Sequence, residues 1–305
     1  MAQKFTHDCA IIGGGPGGLV SALYLRRFKR TVVLFDNKES RVRWIPKIRN
    51  LIGYADGISG QQLLNKLHRQ LKPFKPDVVK ETAQIFRKKN YFEIHAGQKK
   101  YLVKKIILAT GMKDEQPPIE NFADLCEKGV LAYCPICDGY EQSERKIAVL
   151  IDCDHGFRKV KFLTNFTKNL CVIALKKFKP SSVHVALIKK LNCKVRWGSL
   201  SRLSYQEKSG ALVIRQKSHP PLKVDLAYVA LGSHVVGSAI KHLHGLSRTR
   251  EGYFKVNSQQ ETSVPGLYAV GDCVYALSQI SVAVGHAAIA STNIHNVLSK
   301  NRRVH

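Results

Sequence analysis

The sequence has few acidic residues and no long apolar run. Asp and Glu number 22 against 49 Lys and Arg, which gives a formal net charge of +27 over 305 residues. No stretch approaches the roughly 18 uncharged apolar residues that a membrane span requires, and the start Met-Ala-Gln-Lys-Phe-Thr-His lacks the apolar core of a secretory signal. We therefore expect a soluble, cytoplasmic protein that does not enter a membrane.

The sequence also lacks the cysteine pattern of a disulfide scaffold. Of eight cysteines, only Cys134 and Cys137 have a spacing with known chemistry. The other six lie mostly in apolar runs, which is typical of small core residues in a reducing compartment: Cys9, Cys126, Cys153, Cys171, Cys193 and Cys273. No second C-x-x-C or Cys/His pair follows at a finger-like distance, so we expect no metal site.

The positive charges are scattered, and no basic helix or aromatic-interleaved strand typical of nucleic-acid binding is present. A solvated shell explains most of them, and we expect no nucleic-acid partner. The net charge favours an acidic partner through long-range steering. The densest group, Arg41, Arg43, Lys47 and Arg49 around Trp44, is either a docking patch or a charged loop.

Hydrophobicity periods predict two βαβ units, which is typical of an α/β chain with two Rossmann-like domains. The first has a strand over 8–12, a helix over 16–28 and a strand over 31–35; the second has a strand over 146–150, a helix over 157–166 and a strand over 170–175. Further helices are predicted over 59–71 and 280–298, and further strands over 78–85, 91–95, 100–109, 194–197, 211–216, 226–230 and 267–270.

A glycine-rich loop joins the first strand to the first helix. Gly13-Gly-Gly-Pro-Gly-Gly18 is a full G-x-G-x-x-G, in which the three fingerprint glycines permit a tight turn, a close approach to a pyrophosphate and helix packing. Asp36 ends the next strand, where it can accept a hydrogen bond from a ribose 2′-hydroxyl. Strand, loop, helix, strand and acid occur in order, which predicts a dinucleotide site.

A second turn near the C-terminus supports the first. Gly271-Asp272 follows the strand over 267–270 and precedes Gln279-Ile280 at the start of a helix. An Asp at this place can bond a ribityl hydroxyl of a flavin, with helix amides facing the ring. Alone it would be an ordinary turn.

These motifs occur in the order found in one family. The series Gly13 to Gly18, Asn50-Leu-Ile-Gly53 with Ile58-Ser-Gly60, Ala109-Thr-Gly111, Cys134-Pro-Ile-Cys-Asp138 and Gly266-Leu-Tyr-Ala-Val-Gly-Asp272 resembles the low-molecular-weight thioredoxin reductases from end to end. The resemblance implies a discontinuous FAD domain over 1–117 and 244–305, an inserted NADPH-type domain over 118–243 that carries the C-x-x-C, and a homodimer.

Site residues follow from the same resemblance. Cys134 resembles the cysteine that attacks the substrate disulfide, Cys137 the one nearer the flavin, and Asp138 the acid beside the pair. Independently, C-x-x-C at a helix start lowers a thiolate pKa and lets one sulfur resolve the other's mixed disulfide. The implied FAD contacts are Gly13, Gly15, Pro16, Gly17, Gly18, Asp36, Asn50, Thr110, Gly111, Gly271, Asp272, Gln279 and Ile280.

The second βαβ unit departs from the family at its loop. Where the NADPH glycines belong, the chain reads Ile151-Asp-Cys-Asp-His-Gly156. A β-branched Ile resists the turn, the Cys153 side chain occupies pyrophosphate space, and two Asp add negative charge. Lys176-Lys177, near the basic pair that family members use for the 2′-phosphate, favours some residual affinity. We expect impaired or absent NADPH use.

Three functions remain open from the sequence. The first is an FAD-dependent disulfide oxidoreductase that acts on a thioredoxin-like protein or small dithiol, with an acidic donor such as ferredoxin or flavodoxin. The second is a related dithiol oxidase that uses oxygen: Asp138 stands where such oxidases tend to have His, whereas Pro135 and Gly139-Tyr-Glu141 are more similar to the oxidases. The third is a non-catalytic flavin-binding interaction protein, which the intact cysteine pair disfavours.

Overall fold

The computed structural model describes residues 5–300. The chain folds into two compact units, and it crosses between them several times. Within the described residues, unit 1 comprises 5–43, 61–113 and 234–300, and unit 2 comprises 44–60 and 114–233. In the part of the chain that the structure describes, no helix has the length and apolar character needed to cross a bilayer.

The elements are numbered in chain order. The strands are β1 (His7–Ile12), β2 (Val32–Phe35), β3 (Asp77–Val79), β4 (Gln84–Arg87), β5 (Phe92–Ala96), β6 (Lys99–Leu108), β7 (Met112–Asp114), β8 (Leu131–Ala132), β9 (Ile147–Ile151), β10 (Leu170–Ala174), β11 (Lys194–Trp197), β12 (Leu200–Gln206), β13 (Ala211–Gln216), β14 (His219–Val224), β15 (Leu226–Ala230), β16 (Ser233–Val235) and β17 (Leu267–Ala269). The helices are α1 (Pro16–Arg27), α2 (Gly60–Leu71), α3 (Phe122–Glu127), α4 (Pro135–Asp138), α5 (Phe157–Leu163), α6 (Ser182–Lys190) and α7 (Ile280–Lys300).

Unit 1 is built on a seven-stranded sheet. Its order is β3-β2-β1-β6-β5-β4, with β17 also paired to β6. The strands β3, β2, β1, β6 and β17 are parallel, whereas β5 and β4 form an antiparallel edge. The helices α1 and α7 pack on each other. Since β1 and β6 are parallel neighbours, the loops that follow them meet at one edge of the sheet.

Unit 2 contains a five-stranded sheet in the order β11-β10-β9-β15-β8 and an antiparallel sheet β12-β13-β14. All pairs of the larger sheet are parallel. Its central strands are buried on both faces, as expected for a parallel sheet: Ala148 and Leu150 belong to one apolar cluster, and Ile147, Val149 and Tyr228 belong to the other.

Several sequence expectations need correction in detail. The stretch 78–85, predicted as one strand, is divided between β3 and β4. The predicted helix over 157–166 ends at Leu163. Among the cysteines outside the pair, Cys153 is exposed, while the other five are buried.

Candidate functional site

The glycine-rich loop of unit 1 has the geometry that its sequence predicts. Gly13 has φ +117°, and a Cβ there would lie 2.2 Å from the carbonyl oxygen of Ala109. A Cβ on Gly18 would lie 1.8 Å from the carbonyl oxygen of Gly13. Side chains are therefore excluded at both places, and α1 begins at Pro16 with no side-chain cap, which leaves the first-turn amides for an anion.

Asp36 lies beneath this loop with one carboxylate oxygen unsatisfied. The residue is 2% exposed, and its Oδ1 accepts a hydrogen bond from the amide of Lys38 at 2.8 Å. Its Oδ2 makes no hydrogen bond, although Nε2 of His68 lies 3.4 Å away. A buried acceptor of this kind normally has a partner, and a ribose hydroxyl is a donor of suitable chemistry.

Asp272 is held by an arginine from the opposite end of the chain. It lies in a 3₁₀ turn over Gly271–Cys273, and its Oδ2 accepts bonds from Nη2 and Nε of Arg41 at 2.8 and 3.2 Å. Gln279 and Ile280 open α7, where the carbonyl of Gln279 accepts the amide of Ala283. The Asp272 carboxylate would thus share Arg41 with any ligand that it binds.

The remaining cofactor residues divide between the units. Thr110 and Gly111 follow β6 in unit 1, and Gly111 has φ +64°. Asn50 is exposed and lies in the segment 44–60, which belongs to unit 2. The structure therefore brings the predicted glycine loop, Asp36, Thr110 and the Gly271-Asp272 turn into unit 1, and leaves Asn50 outside it.

The cysteine pair of unit 2 is oxidised. Cys134 and Cys137 form a disulfide with a Cα–Cα distance of 5.3 Å. Cys134 precedes α4, Pro135 occupies its first position, and the amide of Cys137 donates to the carbonyl of Cys134 at 2.9 Å. Neighbouring Ile136 and Tyr140 are 47% and 80% exposed. The disulfide is thus flanked by accessible apolar side chains.

Asp138 is a half-buried carboxyl next to the pair. Burial raises its pKa to about 6, while the hydrogen bond from Tyr228 and the charge of Arg49 act in the opposite direction. The hydroxyl of Tyr228 donates to Oδ1 of Asp138 at 2.6 Å, and Arg49 also pairs with Glu141 at 3.6 Å. A carboxyl that titrates near neutrality can both give and take a proton.

The backbone before the pair is tied to the sheet by a lysine. Nζ of Lys159, on α5, donates to the carbonyls of Tyr133 and Val229, each at 2.6 Å. Tyr133 immediately precedes Cys134, and Val229 lies on β15. The helix that follows the altered loop therefore contacts the segment that carries the disulfide.

The altered loop keeps one glycine function and lacks another. A Cβ on Gly156 would lie 2.5 Å from Cγ2 of Ile151, so this glycine permits close helix–strand packing as Gly18 does. Cys153 is extended, with φ −153°, and is followed by a 3₁₀ turn over Asp154–Gly156. Ile151, five residues before Gly156, lies in β9 and has no left-handed backbone conformation. The turn made by Gly13 is therefore not reproduced.

Both acids of this loop are engaged by groups after β10. Oδ2 of Asp152 pairs with Nζ of Lys176 at 3.1 Å. Oδ1 of Asp154 accepts from the amide of Ser181 at 2.9 Å and contacts Nδ1 of His184 at 2.8 Å. Burial raises the pKa of Asp154, but these hydrogen bonds outweigh it and bring the pKa below its ordinary value. Lys176, expected beside a 2′-phosphate, thus already has an anionic partner.

Sequence reasoning missed three of these residues. Tyr228 stands 90 positions from Asp138 in an apolar run, and neither Lys159 nor His184 belongs to a motif. The sequence places Arg41 in the basic group around Trp44, whereas in the structure its guanidinium pairs with Asp272. For Lys176 a signal was present, because Asp152 and Lys176 each follow closely after a strand of the second βαβ unit and the ends of neighbouring parallel strands meet at one edge of the sheet.

The sequence matches the family model described as pyridine nucleotide-disulphide oxidoreductase over residues 7–151 and 158–287. The chain belongs to this family. Members are enzymes, and membership implies FAD and usually NAD(P)H. The two matched segments are interrupted at 152–157, which is the altered loop.

Individual relatives agree. The chain is 23% identical to the thioredoxin reductase of Bacillus subtilis over 98% of this chain and 97% of that protein. It is 28% identical to an NADH dehydrogenase of the same organism, of which it spans only 60%. Its fold matches the crystal structure of thioredoxin reductase from Streptococcus pyogenes with a TM-score of 0.86, at 23% identity, over 96% and 98% of the two chains. The predicted resemblance and the α/β class with two Rossmann-like domains are confirmed.

The residues of unit 1 fit an FAD. The oxygen Oδ2 of Asp36 is buried without a hydrogen bond, and a Cβ on Gly14 would lie 2.0 Å from Cγ of Asp36. The loop backbone thus passes directly over the carboxylate, as ribose recognition in this family of folds requires.

Proposed function

We propose that this member of the family is an FAD-dependent disulfide oxidoreductase that works through Cys134 and Cys137 and has impaired or absent NADPH use. The observation that carries the proposal is the Cys134–Cys137 disulfide, with the carboxyl of Asp138 next to it. It is supported by the intact glycine loop and Asp36 of unit 1. A thioredoxin-like protein or small disulfide is the substrate, and the thioredoxin reductase resemblance supports a homodimer with FAD and NADPH-type domains over the predicted ranges.

In this proposal the two electrons that reduce the Cys134–Cys137 disulfide to a dithiol would come from FAD when it is bound. Cys134 then attacks one sulfur of the substrate as a thiolate, and the substrate S–S bond breaks. Asp138 protonates the leaving sulfur and afterwards takes the proton of Cys137. Cys137 then attacks the sulfur of Cys134, which restores the disulfide and expels the second substrate sulfur as a thiolate; this thiolate takes the proton that Asp138 received from Cys137 and leaves as a thiol.

The reductant is the second part of the proposal. Lys176 pairs with Asp152. To reach Lys176, the 2′-phosphate of NADPH would have to displace the Asp152 carboxylate, which would remain nearby. With a formal charge of +27, the chain would attract an acidic electron carrier such as ferredoxin or flavodoxin at low ionic strength.

Anaerobic titration tests both parts. The purified yellow protein is mixed with NADPH, NADH or dithiothreitol while flavin absorbance is followed. We expect dithiothreitol to bleach the flavin through the cysteine pair, and NADPH and NADH to bleach it slowly or not at all. Cys134→Ser and Cys137→Ser should each slow the bleaching by dithiothreitol. Rapid bleaching by NADPH overturns the impaired-NADPH part, and a colourless protein that refuses FAD overturns the whole proposal.

A second function, dithiol oxidation by oxygen, is favoured by the altered loop, because an oxidase needs no nicotinamide. The diagnostic product of such an oxidase is hydrogen peroxide, formed from a reduced dithiol and oxygen without NADPH. A rate of peroxide formation that matches substrate turnover would favour the oxidase over the reductase.

A further inference from the structure

We propose that Tyr228 is a positioning residue for Asp138, whose carboxyl its hydroxyl holds in place beside the Cys134–Cys137 pair for proton transfer. The inference rests on the proposed function and deepens it, since it names a residue outside every motif of the sequence. Tyr228 contacts Asp138 and affects the cysteine pair only through that carboxyl.

The geometry is specific. Tyr228 is fully buried and lies on β15, where it pairs with Ala132 of β8. Ala132 precedes Cys134 by two residues. From there its hydroxyl donates to Oδ1 of Asp138 at 2.6 Å, within the range of a charge-assisted O–H···O bond. The strand that supports the dithiol segment therefore also fixes the direction of the acid.

The surroundings leave the hydroxyl in its donating form. Burial and the neighbouring carboxylate raise the pKa of Tyr228 far above its ordinary value. The charged groups that influence the pair are Glu141, Arg49 and Arg145. Tyr228 stabilises the ionised Asp138, and loss of its hydroxyl raises the pKa of the carboxyl above about 6.

Two classes of disulfide distinguish a positioning role of Tyr228 from a purely structural one. An alkyl disulfide releases a thiolate whose conjugate thiol has a pKa of about 8.5, so protonation by a nearby acid assists its departure, whereas an aryl disulfide releases a much less basic thiolate that gains little from an acid. A correctly placed acid therefore accelerates the first reaction and has little effect on the second.

The experiment uses full-length protein in a Cys153→Ser background, so that the exposed thiol does not interfere. The pair is reduced with dithiothreitol, freed of reductant under nitrogen, and mixed with hydroxyethyl disulfide or with 5,5′-dithiobis(2-nitrobenzoate). Alkylation at set times, followed by mass measurement, counts the remaining thiols from pH 5 to pH 9. The readout does not depend on flavin turnover or on a nicotinamide.

Tyr228→Phe should slow the alkyl reaction by about tenfold, a fraction of the 10²–10⁴-fold that general acids contribute, and should leave the aryl reaction within about twofold. In the plot of the alkyl reaction rate of Tyr228→Phe against pH, the descending limb should move to higher pH. In an Asp138→Asn background the same substitution should have little further effect, since a residue that acts through Asp138 is not additive with its loss.

Tyr268→Phe is the matched control. Tyr268 is also buried, and its hydroxyl donates to Oδ1 of Asn293 at 2.9 Å; both residues belong to unit 1, whereas the cysteine pair belongs to unit 2. This variant should keep the wild-type pH midpoint. Should Tyr228→Phe fail to fold, 3-fluorotyrosine at position 228 replaces it; its more acidic hydroxyl should shift the limb to lower pH.

The outcomes separate the two proposals. Suppose that Asp138→Asn slows the alkyl reaction, but Tyr228→Phe changes neither the ratio of the alkyl to the aryl rate nor the pH of the descending limb. Tyr228 is then not a positioning residue, and the proposed function stands. Equal slowing of the alkyl and aryl reactions by Tyr228→Phe also overturns the inference. If the reduced wild-type pair reacts with neither disulfide, the proposed function itself fails.

Discussion

Nζ of Lys176 lies 3.1 Å from Oδ2 of Asp152, so the cation and the altered loop neutralise each other. A glycine loop at this place would leave the cation for a phosphate. The family model, which matches on either side of residues 152–157, departs from the chain at the same loop. The absence of the first two loop glycines and the pairing of Lys176 with Asp152 both support the proposal that NADPH binding is impaired.

Asp152→Asn with Asp154→Asn should raise NADPH affinity by about tenfold, because two carboxylates are removed and Lys176 becomes available; a factor of ten corresponds to about 1.4 kcal/mol. NADH affinity should rise less, since it has no 2′-phosphate. Calorimetric titration of both nucleotides measures the difference. Adding Lys176→Ala should abolish the NADPH preference; an equal gain for both nucleotides would contradict this account.

Gly156→Ala should destabilise unit 2 by about 2–3 kcal/mol, a typical cost of overpacking against a fixed strand. The new Cβ would lie 2.5 Å from Cγ2 of Ile151. Gly285→Ala is the control, because a Cβ there meets nothing within 4 Å and a helical Gly→Ala change stabilises by up to about 1 kcal/mol. Urea denaturation compares them, and equal effects would mean that the contact with Ile151 is easily relieved.

Asp138→Asn should stabilise the oxidised protein at pH 8. The carboxyl has an ordinary pKa of 3.8 and a folded pKa of about 6, so the unfolded chain loses its proton first and the wild type loses stability as pH rises between these values. Above that window the variant should gain on the order of 1–3 kcal/mol, the lower end reflecting partial exposure. Below about pH 4 the difference should vanish; a gain that is constant with pH would exclude titration as its cause.

Asp36→Asn should weaken FAD binding by about tenfold or more, since a hydrogen bond to a charged group contributes about 1.5–3 kcal/mol. The substitution keeps the volume and replaces one acceptor oxygen by a donor. Flavin retained after dialysis measures the loss. Asp77→Asn, whose exposed carboxylate pairs with His7, should retain wild-type flavin content; equal loss in both variants would assign the effect to stability.

Cys153 should be the one thiol of the oxidised native protein that reacts within seconds with an aromatic disulfide reagent. The other five free cysteines are buried, and burial raises the pKa of Cys193 and Cys273 to about 11. Cys153→Ser should remove the fast phase. A second fast thiol in that variant would show that one of the buried sites opens readily.

The parallel framework could be predicted from the sequence, because continuous apolar strands separated by helical periods have few alternatives. The bounds 194–197, 211–216 and 226–230 coincide with β11, β13 and β15. The strand β14 was missed because Pro220 and Pro221 suggest a turn, yet a strand at the edge of a sheet tolerates proline. The helix α6 was missed because its nine residues are short and carry no buried face.

The contacts of the candidate site were harder to predict than its motifs. Glycine spacing and C-x-x-C are local, so the sequence displays them directly. The bond between Tyr228 and Asp138 depends on the order of β8, β15 and β9 and on their register, which no local pattern encodes. The same holds for Arg41 and Asp272, which are 231 positions apart.

The ammonium of Lys159 bridges two carbonyls, one beside Cys134 and one on β15. A graft of a working nicotinamide loop in front of α5 would shift the root of that helix, and the bridge would carry the displacement into the backbone of the redox pair. We therefore expect a substitution that displaces the start of α5 to change the reactivity of the cysteine pair as well.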